Sequence, residues 1–418
     1  MAVQVLLGAV RQGNRAAVLR LLAQGIPVDS RDAQDTSALM VAVVAGDRLI
    51  VSDLLTAGAE VNQARQPHGI TPLMLAIAHQ QAEITQVLLE QGADIEQVND
   101  DGTTPLMIAA YQGHPAIATL LLQAGAQVNR RDQAGDTALG LAIQQRHYPM
   151  IELLLAAGAD PQQAIQGETP LTRAARQGDR QLWQCLQQHQ VPLTSEAWFT
   201  AASEGQTGIV QDFLAVGWPV DCTEENGDTA LHLACLEGLE SLTTVLLQAK
   251  ASVNLTNHLG DTPLFLAILH HHTAIARQLL QAGANPHFVQ EGETALGLAL
   301  AHQDELLLQA LLQAGIDPNQ RLAQGKTALM IAADQGHLAL LQSLLVAGAD
   351  VNLQDDHQAT ALMWASHRGY LEAVKLLLAV PSLHLNLKNQ GGYTALGIAQ
   401  FNQHHAVTTL LQAQGAIA

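Results

Sequence analysis

The sequence predicts an all-α fold, in which stacked helix–turn–helix repeats joined by β-hairpin fingers form one curved, elongated solenoid. Three observations carry this expectation. A capping position recurs at Gln4, Ser37, Thr71, Thr104, Thr137, Thr169, Glu196, Thr229, Thr262, Thr294, Thr327, Thr360 and Thr394, at intervals of 33, 34, 33, 33, 32, 27, 33, 33, 32, 33, 33 and 34 residues. Five places after it stands Ala in all thirteen repeats, from Ala9 to Ala399, and two places after it Leu in twelve, Trp198 being the exception. A small side chain lets neighbouring helices approach, and Leu fills the layer between them. Finally, 48% of the residues are hydrophobic but only 3% aromatic, which suits thin layers of Leu, Ala, Ile and Val. A period this regular overrides the several globular domains that 418 residues would otherwise suggest.

The segment from Thr104 to Val128 shows how each element arises. The Thr104 hydroxyl can cap a helix, and Pro105 takes the first helical position, where no N–H is needed. Leu106, Ala109 and Ala110 form a short apolar face that ends at Gly113-His114. A second helix places Ile117, Leu120 and Leu121 at i, i+3 and i+4, and Gly125 closes it where a left-handed residue is favoured. Stretches such as Asn129–Asp136 then read as fingers, with Gly two places before most capping positions. The fingers before Thr169 and Thr294 are one residue short. Repeat 1 begins directly with a helix, as an N-terminal cap would. In repeat 12, Pro381 breaks the second helix and accounts for the extra residue before Thr394. Gln400, Gln403 and Gln412 give the last repeat a polar outer side, as a terminal cap requires.

Period, helix pair and opening together resemble the ankyrin repeat. Thr71-Pro72-Leu73, Thr104-Pro105-Leu106, Thr169-Pro170-Leu171 and Thr262-Pro263-Leu264 match the family's T-P-L opening, and Gly348-Ala349-Asp350-Val351-Asn352 its closing. The resemblance covers essentially the whole chain. It departs at one slot. The family's His, three places after the Thr, is present only as His232, whereas Met40, Met74, Met107, Met330 and Met363 stand there in other repeats. Apolar packing is therefore expected where the family uses a Thr–His hydrogen bond.

The regular pattern is interrupted at 187–196. Gln187 replaces a Leu, Gln190 replaces the closing Gly, and the interval to Glu196 is six residues below the common 33. This divides the chain into residues 1–190, repeats 1–6 with an N-terminal cap, and 191–418, repeats 7–13 with a C-terminal cap. Trp183, Trp198 and Trp218 fall around the interruption. Two readings fit them: rings filling space in an irregular stack, or a bent junction that helps to bind something.

Bulk properties exclude several classes. A net charge of −19, with only four lysines (Lys250, Lys326, Lys375 and Lys388), repels phosphate backbones, so no nucleic-acid partner is expected. No apolar run approaches the ~20 residues that span a bilayer, and the N-terminus lacks the basic region of a secretory signal. Three cysteines, Cys185, Cys222 and Cys235, have no metal-like spacing and suit a reducing compartment. A soluble, cytoplasmic, monomeric protein is the expectation.

Chemical motifs are weak. Gly325-Lys326-Thr327 resembles the end of a phosphate loop, but Gln320 stands where the motif needs Gly, which makes Lys326 a finger residue. Neighbouring residues of the run His270-His271-His272 point about 100° apart on a helix and do not share one metal. A site pairing His270 with His302 would have to bridge a layer about 8–10 Å thick. His404-His405 reads as the same helix-end slot, and Cys235 as core. The acidic pairs Asp100-Asp101, Glu224-Glu225 and Asp355-Asp356 lie in fingers, as solvated turns or, alternatively, a catalytic or calcium pair. No catalytic residue, metal or cofactor is expected.

The resemblance implies a site by position. In ankyrin stacks the end of the first helix and the finger tips line a concave groove. Seven and eight places after each capping position, this chain offers Tyr111, Gln112, Gln144, Gln145, Arg176, Glu204, Leu236, Glu237, Leu269, His270, His302, Gln335, His367, Arg368 and Phe401 as partner-binding residues. Finger-tip companions are Gln133, Glu225, His258, Gln290 and His357. Amides, imidazoles and scattered apolar anchors suit protein recognition. The function implied is a non-catalytic interaction scaffold whose partner is a protein. The alternative is a small-molecule or metal-dependent activity at the Trp-rich junction or the His stripe.

Overall fold

Side-chain oxygens start the helices. The computed structural model describes residues 2–163, 165, 167–290 and 292–418. In it the hydroxyls of Ser37, Thr71, Thr104, Thr137, Thr169, Thr229, Thr262, Thr294, Thr327, Thr360 and Thr394 accept the N–H three residues on, at 3.0–3.4 Å. Each such cap contributes about 1 kcal/mol. The 26 α-helices among the described residues form thirteen pairs, such as Pro105–Gln112 with Pro115–Gln123 and Ala361–Arg368 with Leu371–Leu378. Repeat 7 departs from the rule. Its first helix is Ser195–Ser203, and Thr194, two places before Glu196, supplies the oxygen, accepting from Ala197 N at 3.2 Å. Glu196 thus sits inside the helix, because the shortened junction leaves no room for a full finger ahead of it.

The recurrent Ala and Leu are the core. From Ala42 to Ala399 the twelve alanines five places after the caps expose no surface, and the Leu at the second position is at most 3% exposed. Within each unit first helices pack on first helices and second on second, as Pro105–Gln112 does on Ala138–Gln144. The residues group into two compact units, Met1–Ala201 and Ala202–Ala418.

Fingers form with little β-structure. Described strands are confined to Val289–Gln290 and Glu293–Thr294, paired antiparallel, with isolated bridges such as Arg31 with Ser37 and Thr223 with Thr229. The reason is that a side chain closes the turn instead of a ladder. Asn99 Oδ1 accepts from Asp101 N and Thr103 N at 3.0 and 2.8 Å, and Asn257 Oδ1 from Leu259 N and Asp261 N at 3.0 and 2.9 Å. Such Asx turns satisfy the backbone locally. Neighbouring fingers are tied by single backbone bonds, Gln133 N to Asp101 O and Gln390 N to His357 O. A second tie recurs near the end of several repeats: Asn129 Oδ1 accepts from Asp160 N at 2.8 Å while its Nδ2 donates to Gly158 O at 3.1 Å. Asn352 repeats this with His384 N and Ser382 O. No helix among the described residues is long and apolar enough to cross a membrane.

Candidate binding face and terminal pocket

The slots seven and eight places after the caps lie on the surface of both units. Tyr111, Gln145, Arg176, Glu204, Glu237, Leu269, His270, Gln335, His367, Arg368 and Phe401 are exposed, and Gln112, Gln144, Leu236 and His302 are half-buried. Several are already engaged inside the chain. Arg176 pairs with Glu168, Arg368 Nε donates to Asp334 Oδ1 at 2.7 Å, and Gln144 Nε2 to Asp136 Oδ1 at 3.4 Å. Gln112 Oε1 lies 3.0 Å from His114 Nε2. Side chains held in this way form a pre-ordered surface rather than a loose fringe.

A recurring device fixes the backbone of this face. The residue ten places after a cap lies over the Gly nine places after the cap of the preceding repeat, and where it is His its Nε2 meets the carbonyl two residues before that Gly. His147 reaches Tyr111 O at 3.0 Å, His272 reaches Leu236 O at 3.2 Å, and His404 reaches His367 O at 2.9 Å. The carbonyl is acceptor-only, so each ring carries its proton on Nε2. These helix-end histidines are thus inter-repeat ties.

The histidine run is arranged as two ring pairs. His271, rather than His270, meets His302, with ring centroids 3.8 Å apart, while His270 stacks on His272 at 6.4 Å. Burial first, and then the neighbouring His271, holds His302 below the usual imidazole value. Among the described residues no group of three or more His, Cys, Asp or Glu is arranged to hold a metal ion. The three thiols are free, with Cys185 and Cys235 buried. Burial pushes the Cys185 thiol up to about 11 and raises that of Cys235 as well, so neither is a ready thiolate.

At the junction, Trp183 and Trp198 are buried in the first unit. In the second, the Trp218 ring meets Phe213 edge-on at 5.4 Å and its Nε1 donates to Cys222 Sγ at 3.3 Å. The acidic pair Asp100-Asp101 ties neighbouring fingers: Asp100 Oδ2 accepts from His68 N at 2.8 Å, and Asp101 O accepts from Gln133 N.

His232 keeps the bond expected of its slot, its Nδ1 lying 2.9 Å from Thr229 Oγ1, and its Nε2 lies 3.1 Å from Asp261 O. Burial lowers its pKa. Where Met replaces it, packing is not the whole substitute. Met107 Sδ accepts from Thr104 N at 3.4 Å, and Met330 Sδ from Thr327 N at 3.4 Å. The sulfur supplies a weak acceptor to the otherwise orphaned N–H.

Between repeats 12 and 13 the face holds a cavity of about 410 Å³. Trp364, Tyr393 and Phe401 are its aromatic walls, with Met363 and Ile398 behind and His357, His367 and Asn389 among its polar lining. Phe401 is 81% and Tyr393 55% exposed. Trp364 is fixed from three sides. Its Nε1 donates to Asp355 Oδ2 at 3.0 Å, the Lys326 ammonium sits 3.7 Å from its ring centroid, and His367 meets it edge-on at 6.3 Å. Lys326 also lies 3.6 Å from Asp334. Asp355 is only 5% exposed, and its Oδ1 accepts from His357 N and Ala359 N at 2.9 and 2.8 Å. The slot rule located Phe401, His367 and His357 here, but not Trp364 or Tyr393. The signal for them was present: Trp364 takes a slot filled by Ile or Leu in most repeats, and Tyr393 one that is mostly Asp, Glu or Thr.

Uniform buried helix pairs, tied to their neighbours within each unit and presenting varied side chains at the ends of their first helices, define a helix-pair repeat protein. The chain belongs to the ankyrin-repeat family: the family model for ankyrin repeats (three copies) matches residues 50–132, 91–165, 198–290, 282–355 and 329–417. Repeats of this family generally mediate protein–protein interaction. No curated protein matches the chain.

Proposed function

We propose that this protein is a non-catalytic scaffold that binds a partner protein along the face built from first-helix ends and finger tips. The observation that carries the reading is a contrast between slots. The second and fifth positions after each cap are uniform and buried, whereas the seventh and eighth vary from Tyr to Gln, Arg, Glu, Leu, His and Phe on the surface. Packing dictates the first set and leaves the second free for recognition. A face whose backbone is already held by inter-repeat bonds needs little ordering on binding, which favours affinity. The free thiols fit a reducing, cytoplasmic setting.

Capture from a displayed protein library tests this. The intact chain is compared with a variant carrying Tyr111→Ala, Leu236→Ala and Leu269→Ala, and with one that adds Phe401→Ala. Aromatic and large apolar anchors carry most of the binding energy at such faces, so the proteins held by the intact chain should be lost by the variants while their Tm stays close to that of the intact chain. Retention of every captured protein by both variants would count against the face.

A further inference from the structure

Resting on that reading, we propose that the cavity walled by Trp364, Tyr393 and Phe401 takes a bulky apolar side chain, preferably aromatic, from an acidic segment of the partner. At about 410 Å³ it lies within the range of sites that enclose a specific group, roughly 300–1,000 Å³. Its walls supply the apolar body, and its polar lining decides the charge.

A cation is the wrong occupant. The Trp364 ring already carries the Lys326 ammonium at 3.7 Å. The carboxylate bonded to the Trp364 indole, Asp355, has both oxygens engaged, by two backbone N–H groups and that indole. The uncommitted groups donate. Asn402 Nδ2 faces both His367 Nδ1, at 2.9 Å, and the His367 carbonyl, at 3.2 Å. Only the amide nitrogen suits a position between two acceptors, so Nδ1 accepts and the His367 proton lies on Nε2. That Nε2–H, the Tyr393 hydroxyl and Asn389 Nδ2 have no hydrogen-bond partner among the described residues, and Asn389 Oδ1 is taken by Tyr393 N at 2.9 Å. Donors around an apolar well call for carboxylate or carbonyl oxygens beside the buried group.

Charge along the chain points the same way. Residues 1–356 carry sixteen basic against thirty-seven acidic side chains, and residues 357–418 carry three (Arg368, Lys375 and Lys388) against one (Glu372). All the residues that line the pocket fall in this second stretch, whose small positive excess does not repel an acidic segment, on a protein of net charge −19.

The test uses the full chain and a fluorescein-labelled peptide, Ser-Gly-Glu-Asp-Phe-Glu-Asp-Gly-Ser, followed by anisotropy. Two companion peptides replace the Phe by Ala or all four acids by Lys. The acidic Phe peptide should bind at least tenfold tighter than either companion. Phe401→Ala should weaken it about fivefold or more with no change in Tm, since Phe401 is 81% exposed, and Tyr111→Ala should leave it unaffected. Equal or tighter binding of the Lys peptide, indifference to Phe401→Ala, or no binding of the acidic peptide at about 1 mM overturns the proposal. Such a result, with library capture still lost in the Tyr111/Leu236/Leu269 variant, rejects the pocket alone. Capture insensitive to every variant rejects the wider reading.

Discussion

Gln403 holds φ at +60°. Its slot, nine places after the cap, is left-handed in every repeat: eight have Gly, while Gln80, Arg146, His271, Gln303 and Gln403 adopt φ between 55° and 61°. A side chain costs roughly 1–2 kcal/mol there, and Gly loses more freedom on folding, roughly 0.5–1 kcal/mol. Gln403→Gly should therefore raise stability by about 0.5–1 kcal/mol, read as an increase in the urea midpoint. Gly369→Ala tests the same slot in reverse. A Cβ there meets His404 Nδ1 at 2.6 Å, whereas at Gly348, equally left-handed at +86°, it meets nothing within 4 Å. Gly369→Ala should cost at least about 1 kcal/mol more than Gly348→Ala, because it also displaces the ring that ties His404 to His367 O. Equal costs would show that the ring tie contributes nothing. At this scale the sequence was legible wherever one residue meets its own backbone, as at the Thr caps. It was opaque where residues from two repeats meet, which is why His271 rather than His270 faces His302.

Elements repeat this division. Helix starts and the Ala/Leu core follow from local chemistry and a fixed period, so both could be read without coordinates. The fingers could be placed but not described, because an Asx side chain and a β-ladder satisfy the same backbone groups and leave the same Gly. Repeat 7 misled for a related reason: a shortened connection moved the cap to Thr194, and period alone put it at Glu196. The finger at Asp355 shows what a local rule leaves out. Asn99, Asn257 and Asn389 close equivalent turns with one oxygen, and their second group need not accept. Asp355 needs both oxygens, since Trp364 Nε1 donates to the second. Asp355→Asn would set an N–H donor against the indole N–H in a buried place, at a cost of about 1–3 kcal/mol. In a Trp364→Phe background the same change should cost less than about half as much, because the opposing donor is gone. Thermodynamic cycles from chemical denaturation measure the difference. An unchanged cost would show that the carboxylate serves only the turn.

For the whole molecule, the consequence of stacking is that energy is local. Each helix pair buries its apolar side against the next pair, so stability is close to a sum over neighbours and a lesion need not be felt far along the chain. Leu344, fully buried in the second helix Leu338–Val346, is a suitable place to measure this, because that helix packs on Glu305–Gln313 and Leu371–Leu378. Leu344→Ala should cost about 2–5 kcal/mol. At about tenfold in an equilibrium constant per 1.4 kcal/mol, amides of those three helices should exchange with deuterium by at least an order of magnitude faster. Peptides from Ala38–Ala45 and Arg48–Thr56, in the other compact unit, should keep their protection. Uniform acceleration along all thirteen repeats would mean that the chain opens as one cooperative block. The ties between neighbouring repeats would then not be the level at which the proposed face is held.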